Sequence, residues 1–104
     1  MAHYDVYANP DRSERNHTPN VLDLQNTFLD MLDTFVAVPL RAVTLMPLRI
    51  GHIHPVVHVA GQDVVVDTPM VATFPKRGLG QPVTNLRSSK FEIQAALDAL
   101  LGEH

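Results

Sequence analysis

His54-Pro55-Val56-Val57-His58-Val59-Ala60-Gly61-Gln62-Asp63-Val64-Val65-Val66 is the stretch on which the fold turns. Val56 to Ala60 is rich in valine, whose branched Cβ is stiff and packs well on a pleated surface. Gly61-Gln62-Asp63 reads as a tight hairpin turn into Val64-Val65-Val66. The chain on either side extends the β pattern. Downstream, Met70 to Phe74 is a further strand ending at Pro75, and Lys76 to Pro82 is a Gly/Pro-rich loop. Upstream, Tyr4 to Ala8 alternates and predicts a strand, followed by a turn at Asn9-Pro10-Asp11.

Arg12 to Asn20 is polar and has no period. It is the longest candidate loop, and such loops often carry function. Asn20 to Gln25 alternates again. Thr27-Phe28-Leu29-Asp30 predicts a brief capped helical turn with Leu29 and Leu32 facing inward. Phe35 to Val38 is β-rich. Pro39 cannot donate to a ladder, so it marks an edge, bend or strand end. Arg41 to Met46 resumes extended character, and Leu48 to His54 fits no one class. The last element is the clearest. Ser89-Lys90-Phe91-Glu92 reads as a capping box, with Ile93, Ala96, Leu97, Leu100 and Leu101 forming one apolar stripe and Gly102 as its stop. Short strands followed by one amphipathic helix predict a mainly β fold. The expected form is a strongly bent antiparallel sheet or small barrel with the helix packed on it.

At 104 residues the chain is expected to be a single domain, 1–104. A net charge of −3 argues against a general nucleic-acid or acidic-membrane binder. The chain has no cysteine, which excludes disulfides, thiolate metal sites and a cysteine nucleophile. No basic-then-apolar leader opens the sequence and no apolar run approaches a membrane span, so a cytoplasmic protein is expected.

Catalytic constellations are hard to find. There is no Gly-x-Ser-x-Gly elbow, phosphate loop or dinucleotide fingerprint. His52, His54 and His58 would share one face of a continuous strand, where three imidazoles suit zinc. Pro55 sits among them, however, and favours solvent-facing or hydrogen-bonded histidines. The aspartates are scattered at no demanding spacing. Neither a metal nor a cofactor is expected, and no catalytic residue is assigned. The charged cluster Arg12-Ser13-Glu14-Arg15, with His17 beyond it, reads as a solvated loop, as a recognition loop for a protein partner, or as an Arg/His pair for RNA cleavage.

Taken in order, Tyr4-Asp5-Val6-Tyr7, Leu22-Asp23-Leu24-Gln25, Val38-Pro39-Leu40, His54-Pro55-Val56-Val57-His58-Val59, Met70 to Pro75, Val83-Thr84-Asn85-Leu86 and the final helix resemble the CcdB toxin family. The likeness runs from about Tyr4 to about Leu101. It implies an SH3-like barrel related to the MazF/Kid toxins, a homodimer, and no cofactor or covalent chemistry. It also implies a CcdA-like antitoxin whose disordered C-terminal segment folds along the toxin. The implied target is the A subunit of DNA gyrase. Operator DNA is implied only indirectly, through the antitoxin, as part of transcription regulation and plasmid maintenance.

The resemblance places antitoxin contact at Arg12, Ser13, Glu14 and Arg15, and gyrase contact at Leu101, Gly102, Glu103 and His104. In gyrase-poisoning members the tail reads Trp-Gly-Ile; here Gly102-Glu103-His104 corresponds, and the chain has no tryptophan. Losing a hot-spot aromatic costs about 2 kcal/mol or more, while an exposed ion pair from Glu103 returns only about 0–1 kcal/mol. Weak or altered poisoning is therefore expected. The alternatives are a non-toxic or retargeted member that still binds its antitoxin, and a MazF-like endoribonuclease toxin, against which the acidic balance argues.

Overall fold

Val57, Val59, Val64 and Val66 point to one side of a hairpin and set the core. In the computed structural model, which describes residues 1–102, this hairpin is β4 (Val56–Val59) and β5 (Gln62–Val66). The other strands are β1 (Asp5–Ala8), β2 (Asn20–Asp23), β3 (Thr34–Ala42), β6 (Ala72–Pro75) and β7 (Thr84–Asn85), followed by helix α1 (Lys90–Leu101). The antiparallel sheet runs β4-β5-β3-β2-β1-β7, with β6 on β3. β3 is the organising strand. Its first half pairs with β6 (Phe35 opposite Phe74) and its last three residues with β5 (Leu40 opposite Val66). Changing partners along one edge bends the sheet into a nearly closed barrel capped by α1, an architecture that agrees with the SH3-like expectation. No described helix is long and apolar enough to cross a membrane.

Alternation sorts side chains onto two faces. Val6, Leu22, Val38 and Leu40 join the hairpin valines, Leu86 and Ile93 of α1 in the main core. Tyr7, Val21, Phe35 and Ala37 form a second cluster on the opposite face, packed by Met1, Phe74 and Leu79. Fully burying such side chains stabilises by roughly 1.5–3 kcal/mol each.

Several local expectations are corrected. The hairpin turn sits at Ala60-Gly61, one residue early, with both φ angles positive (50° and 81°). That is the backbone hand that matches strand twist in a two-residue loop. Pro39 does not end a strand; it lies buried within β3. Its carbonyl accepts from Asp67 N (3.1 Å), on the side where β6 has stopped and β5 has not begun, so its missing N–H leaves no ladder rung broken. Arg41 to Met46 is extended only to Ala42 and then coils into a 3₁₀ turn, Val43–Leu45. The helical turn at Thr27–Leu29 is present, but Leu29 and Leu32 are exposed, because a single 3₁₀ turn at the barrel rim has no layer above it.

The Ser89 side chain makes no capping bond. A 3₁₀ turn, Arg87–Ser89, runs straight into α1, and the Lys90 amide bonds Arg87 O instead. The apolar stripe is buried at Ile93 and Ala96 only; Leu97 and Leu100 are half-buried and Leu101 is exposed. Gly102 does stop the helix. Its amide donates to Asp98 O (2.7 Å), and any Cβ there would lie 2.5 Å from that same oxygen.

Candidate partner-binding surfaces

Asn9 builds the first surface. Buried at the end of β1, it donates from Nδ2 to Thr18 O (2.9 Å) and accepts Asp11 N at Oδ1 (3.0 Å), pinning both ends of the Pro10–His17 loop. Asp11 then caps a 3₁₀ turn, Arg12–Glu14, accepting from Ser13 N and Ser13 Oγ. Arg15 Nε donates back to Asn9 O (2.7 Å). The four residues assigned to antitoxin contact, Arg12, Ser13, Glu14 and Arg15, thus lie together on one exposed, well-held turn.

Beside this turn is a groove of about 410 Å³ between the loop, β3 and β6. Its floor is Val21, Phe35, Pro39 and Phe74; Asp11 and Glu14 edge it on the loop side, Arg41 and Arg77 elsewhere. Arg41 is held from behind. Its Nε donates to Asp67 Oδ2 (2.6 Å) and its Nη1 to Thr18 Oγ1 (3.3 Å). His54 completes the arrangement. Its Nδ1 accepts from Ile50 N (3.0 Å), so Nε2 carries the proton that faces Asp67 Oδ1 (3.3 Å). Asp67 is buried, and both its oxygens are engaged.

The three histidines of the β4 region are separated in role. His52 and His54 lie in turns before β4, and only His58 is on the strand, facing Asp63 across the hairpin (3.1 Å). Among the described residues, no group of three or more His, Asp or Glu side chains is placed to hold a metal ion.

A second surface, missed in the sequence, is the loop between β2 and β3. Asn26 Oδ1 caps the Thr27–Leu29 turn through Phe28 N (3.0 Å). Phe28 is 85% exposed and Met31 77%, with Leu29, Leu32 and Val36 also open to solvent. Gln25 holds the loop closed. Its Nε2 donates to Leu29 O (3.2 Å) and Thr34 O (3.1 Å), and its Oε1 accepts from Val36 N (3.2 Å), standing in for a backbone rung. Beneath it Asp23, 1% exposed, accepts Gln25 N (2.8 Å). Burial pushes this carboxyl up to about 6, against the lowering effect of the Gln25 amide. Tyr7 is likewise pushed up to about 12, by burial first and Asp5 second. The signal that could have flagged the loop is its density of large apolar residues without helical or strand period.

Of the sites assigned to gyrase contact, Leu101 and Gly102 fall at the end of α1. Leu101 is 72% exposed on its last turn and Gly102 is exposed. Glu103 and His104 lie outside the described residues. Set against known proteins, residues 3–102 match a family model described as CcdB protein. None of the curated proteins searched matches the chain.

Proposed function

The chain belongs to the CcdB family, and from that premise we propose that it is the toxin of a type II toxin–antitoxin pair, a cytoplasmic homodimer that binds the gyrase A subunit and catalyses no reaction. Family membership supports, in general terms, a toxin held by an antitoxin and directed at gyrase. The observation that carries this reading is the span of the match, which takes in every strand and the helix. The antitoxin takes the Arg12–Arg15 turn, and operator DNA is reached only through the antitoxin.

The target is gripped by apolar contact. With no tryptophan in the chain, that contact falls to other exposed apolar side chains, of which Leu48, Phe28, Phe91, Met31 and Leu101 are the most open; Phe28 and Met31 share one loop, and Phe91 and Leu101 lie on α1. Large apolar residues at an interface centre dominate affinity, whereas exposed ion pairs contribute little. Expression of the protein is expected to arrest growth, co-expression of the neighbouring antitoxin to relieve it, and arrested cells to hold cleaved DNA rather than cleaved RNA. Cleaved RNA would favour the endoribonuclease reading, and normal growth the non-toxic one. The Phe28→Ser variant is expected to lose about tenfold in capture of gyrase A from the native host, with an unchanged melting temperature because the ring is solvent-exposed. Potent inhibition of an enterobacterial-type gyrase would overturn the expectation of altered targeting drawn from the Gly102-Glu103-His104 tail.

A further inference from the structure

The groove beside the Arg12–Arg15 turn is lined by charges of both signs. Of its charged residues, Arg41 is committed to Asp67, and Asp11 to the cap on Ser13. Glu14 and Arg77 remain. Both are exposed, both line the groove, and neither has an ion-pair partner among the described residues. The groove they line has an apolar floor built on Phe35 and Phe74.

A volume of about 410 Å³ is too small for a helix, whose diameter with side chains is about 10–12 Å, and suits one or two side chains of an extended chain. A free phosphate or nucleotide is disfavoured because two carboxylates, Asp11 and Glu14, face the same space. An all-acidic or all-basic segment would leave Glu14 or Arg77 opposed by like charge.

We infer that the groove takes an extended segment of the antitoxin that carries an apolar side chain flanked by one acidic and one basic residue. The apolar group seats on Phe35 and Phe74, the acid faces Arg77 and the base faces Glu14, so the charges set the direction in which the segment runs. This rests on the toxin–antitoxin reading and adds the chemistry and polarity of the partner.

The test is calorimetric titration of the full chain with the C-terminal half of the antitoxin encoded beside it. The variants are Glu14→Lys and Arg77→Glu, with Arg87→Glu, on the turn leading into α1, as control. All three positions are exposed, and thermal melts check that folding is intact. The expected result is a loss of about tenfold or more for each groove variant and none for the control. The double variant is expected to prefer an antitoxin peptide with its acidic and basic residues exchanged. Unchanged binding by both groove variants, or equal losses including the control, overturns the groove assignment while leaving the toxin–antitoxin reading intact. Failure of the wild-type chain to bind the antitoxin at all overturns both.

Discussion

Two loops flank β2, and they are built alike. Before it, Asp11 caps the 3₁₀ turn Arg12–Glu14; after it, Asn26 caps the 3₁₀ turn Thr27–Leu29. In each an Asx oxygen takes the free amide two residues on, which is why Asp and Asn favour such positions. Each loop is also closed by a neighbouring carboxamide, Asn9 for the first and Gln25 for the second. What they show to solvent is opposite: arginines, serine and glutamate on one, phenylalanine, methionine and leucine on the other. Local backbone chemistry sets the shape of a turn, and the outward side chains set what it can hold. A charged turn gives direction and selectivity to a partner, while an apolar turn gives contact area.

The largest expected effect comes from breaking the charged loop's clamp. Asn9→Ala removes two hydrogen bonds, one buried and one part-buried, and leaves the Thr18 carbonyl without its side-chain donor. Net losses near 1 kcal/mol per bond, plus desolvation of the stranded group, predict about 2–4 kcal/mol in urea unfolding. Antitoxin affinity should fall with it, because the Arg12–Arg15 turn is no longer held. A variant as stable as the wild type would show that the loop is organised by other contacts.

Asp23, at the β2 end next to the apolar loop, comes second. Its carboxyl titrates at 3.8 when unfolded and at about 6 when buried. Below 3.8 both states are neutral. Between 3.8 and 6 the folded state keeps a proton that the unfolded state releases, so stability falls as pH rises, and above 6 that loss is complete. Asp23→Asn keeps the acceptor for Gln25 N and removes the charge. It is expected to stabilise by about 1–2 kcal/mol at pH 7 and by almost nothing at pH 4. Equal effects at the two pH values would sink the assignment of the penalty to the carboxylate.

The contrast also explains what was legible in the sequence. The Val56–Val66 hairpin could be read because valine density and alternation are local signals; its turn was placed one residue late because Ala60 takes a left-handed conformation normally given to Gly or Asn. The Arg12–Arg15 turn was recognised as a loop from its polarity. Leu29 and Leu32 read as inward because apolar residues are usually inside, a rule that fails here because a single 3₁₀ turn at the barrel rim has no layer above it. The groove was not legible at all. Glu14 and Arg77 come from loops far in sequence from β3, which carries Phe35 and Arg41, and only the fold brings the three segments together.

Gln25→Ala gives the smallest effect and the sharpest test of the apolar loop. Gln25 is half-buried, so water can replace part of what its amide provides, and a cost of about 1 kcal/mol is expected. The consequence is local. Without the bonds to Leu29 O, Thr34 O and Val36 N, the loop loses its side-chain clamp and keeps the backbone tie from Leu24 N to Val36 O. Amide exchange at Phe28 to Leu32 and at Val36 should then quicken, while that of Val6, Val38 and Val64 in the main core stays at the global limit. Gyrase A capture should weaken because the apolar contact must be ordered on binding, and antitoxin binding at the Arg12–Arg15 turn should not change. Gln25→Glu restores only the acceptor for Val36 N, since a carboxylate cannot donate to Leu29 O or Thr34 O. It is therefore expected to behave like the alanine variant. Equal loss of gyrase and antitoxin binding in these variants would mean that the two loops move as one unit rather than as separate surfaces.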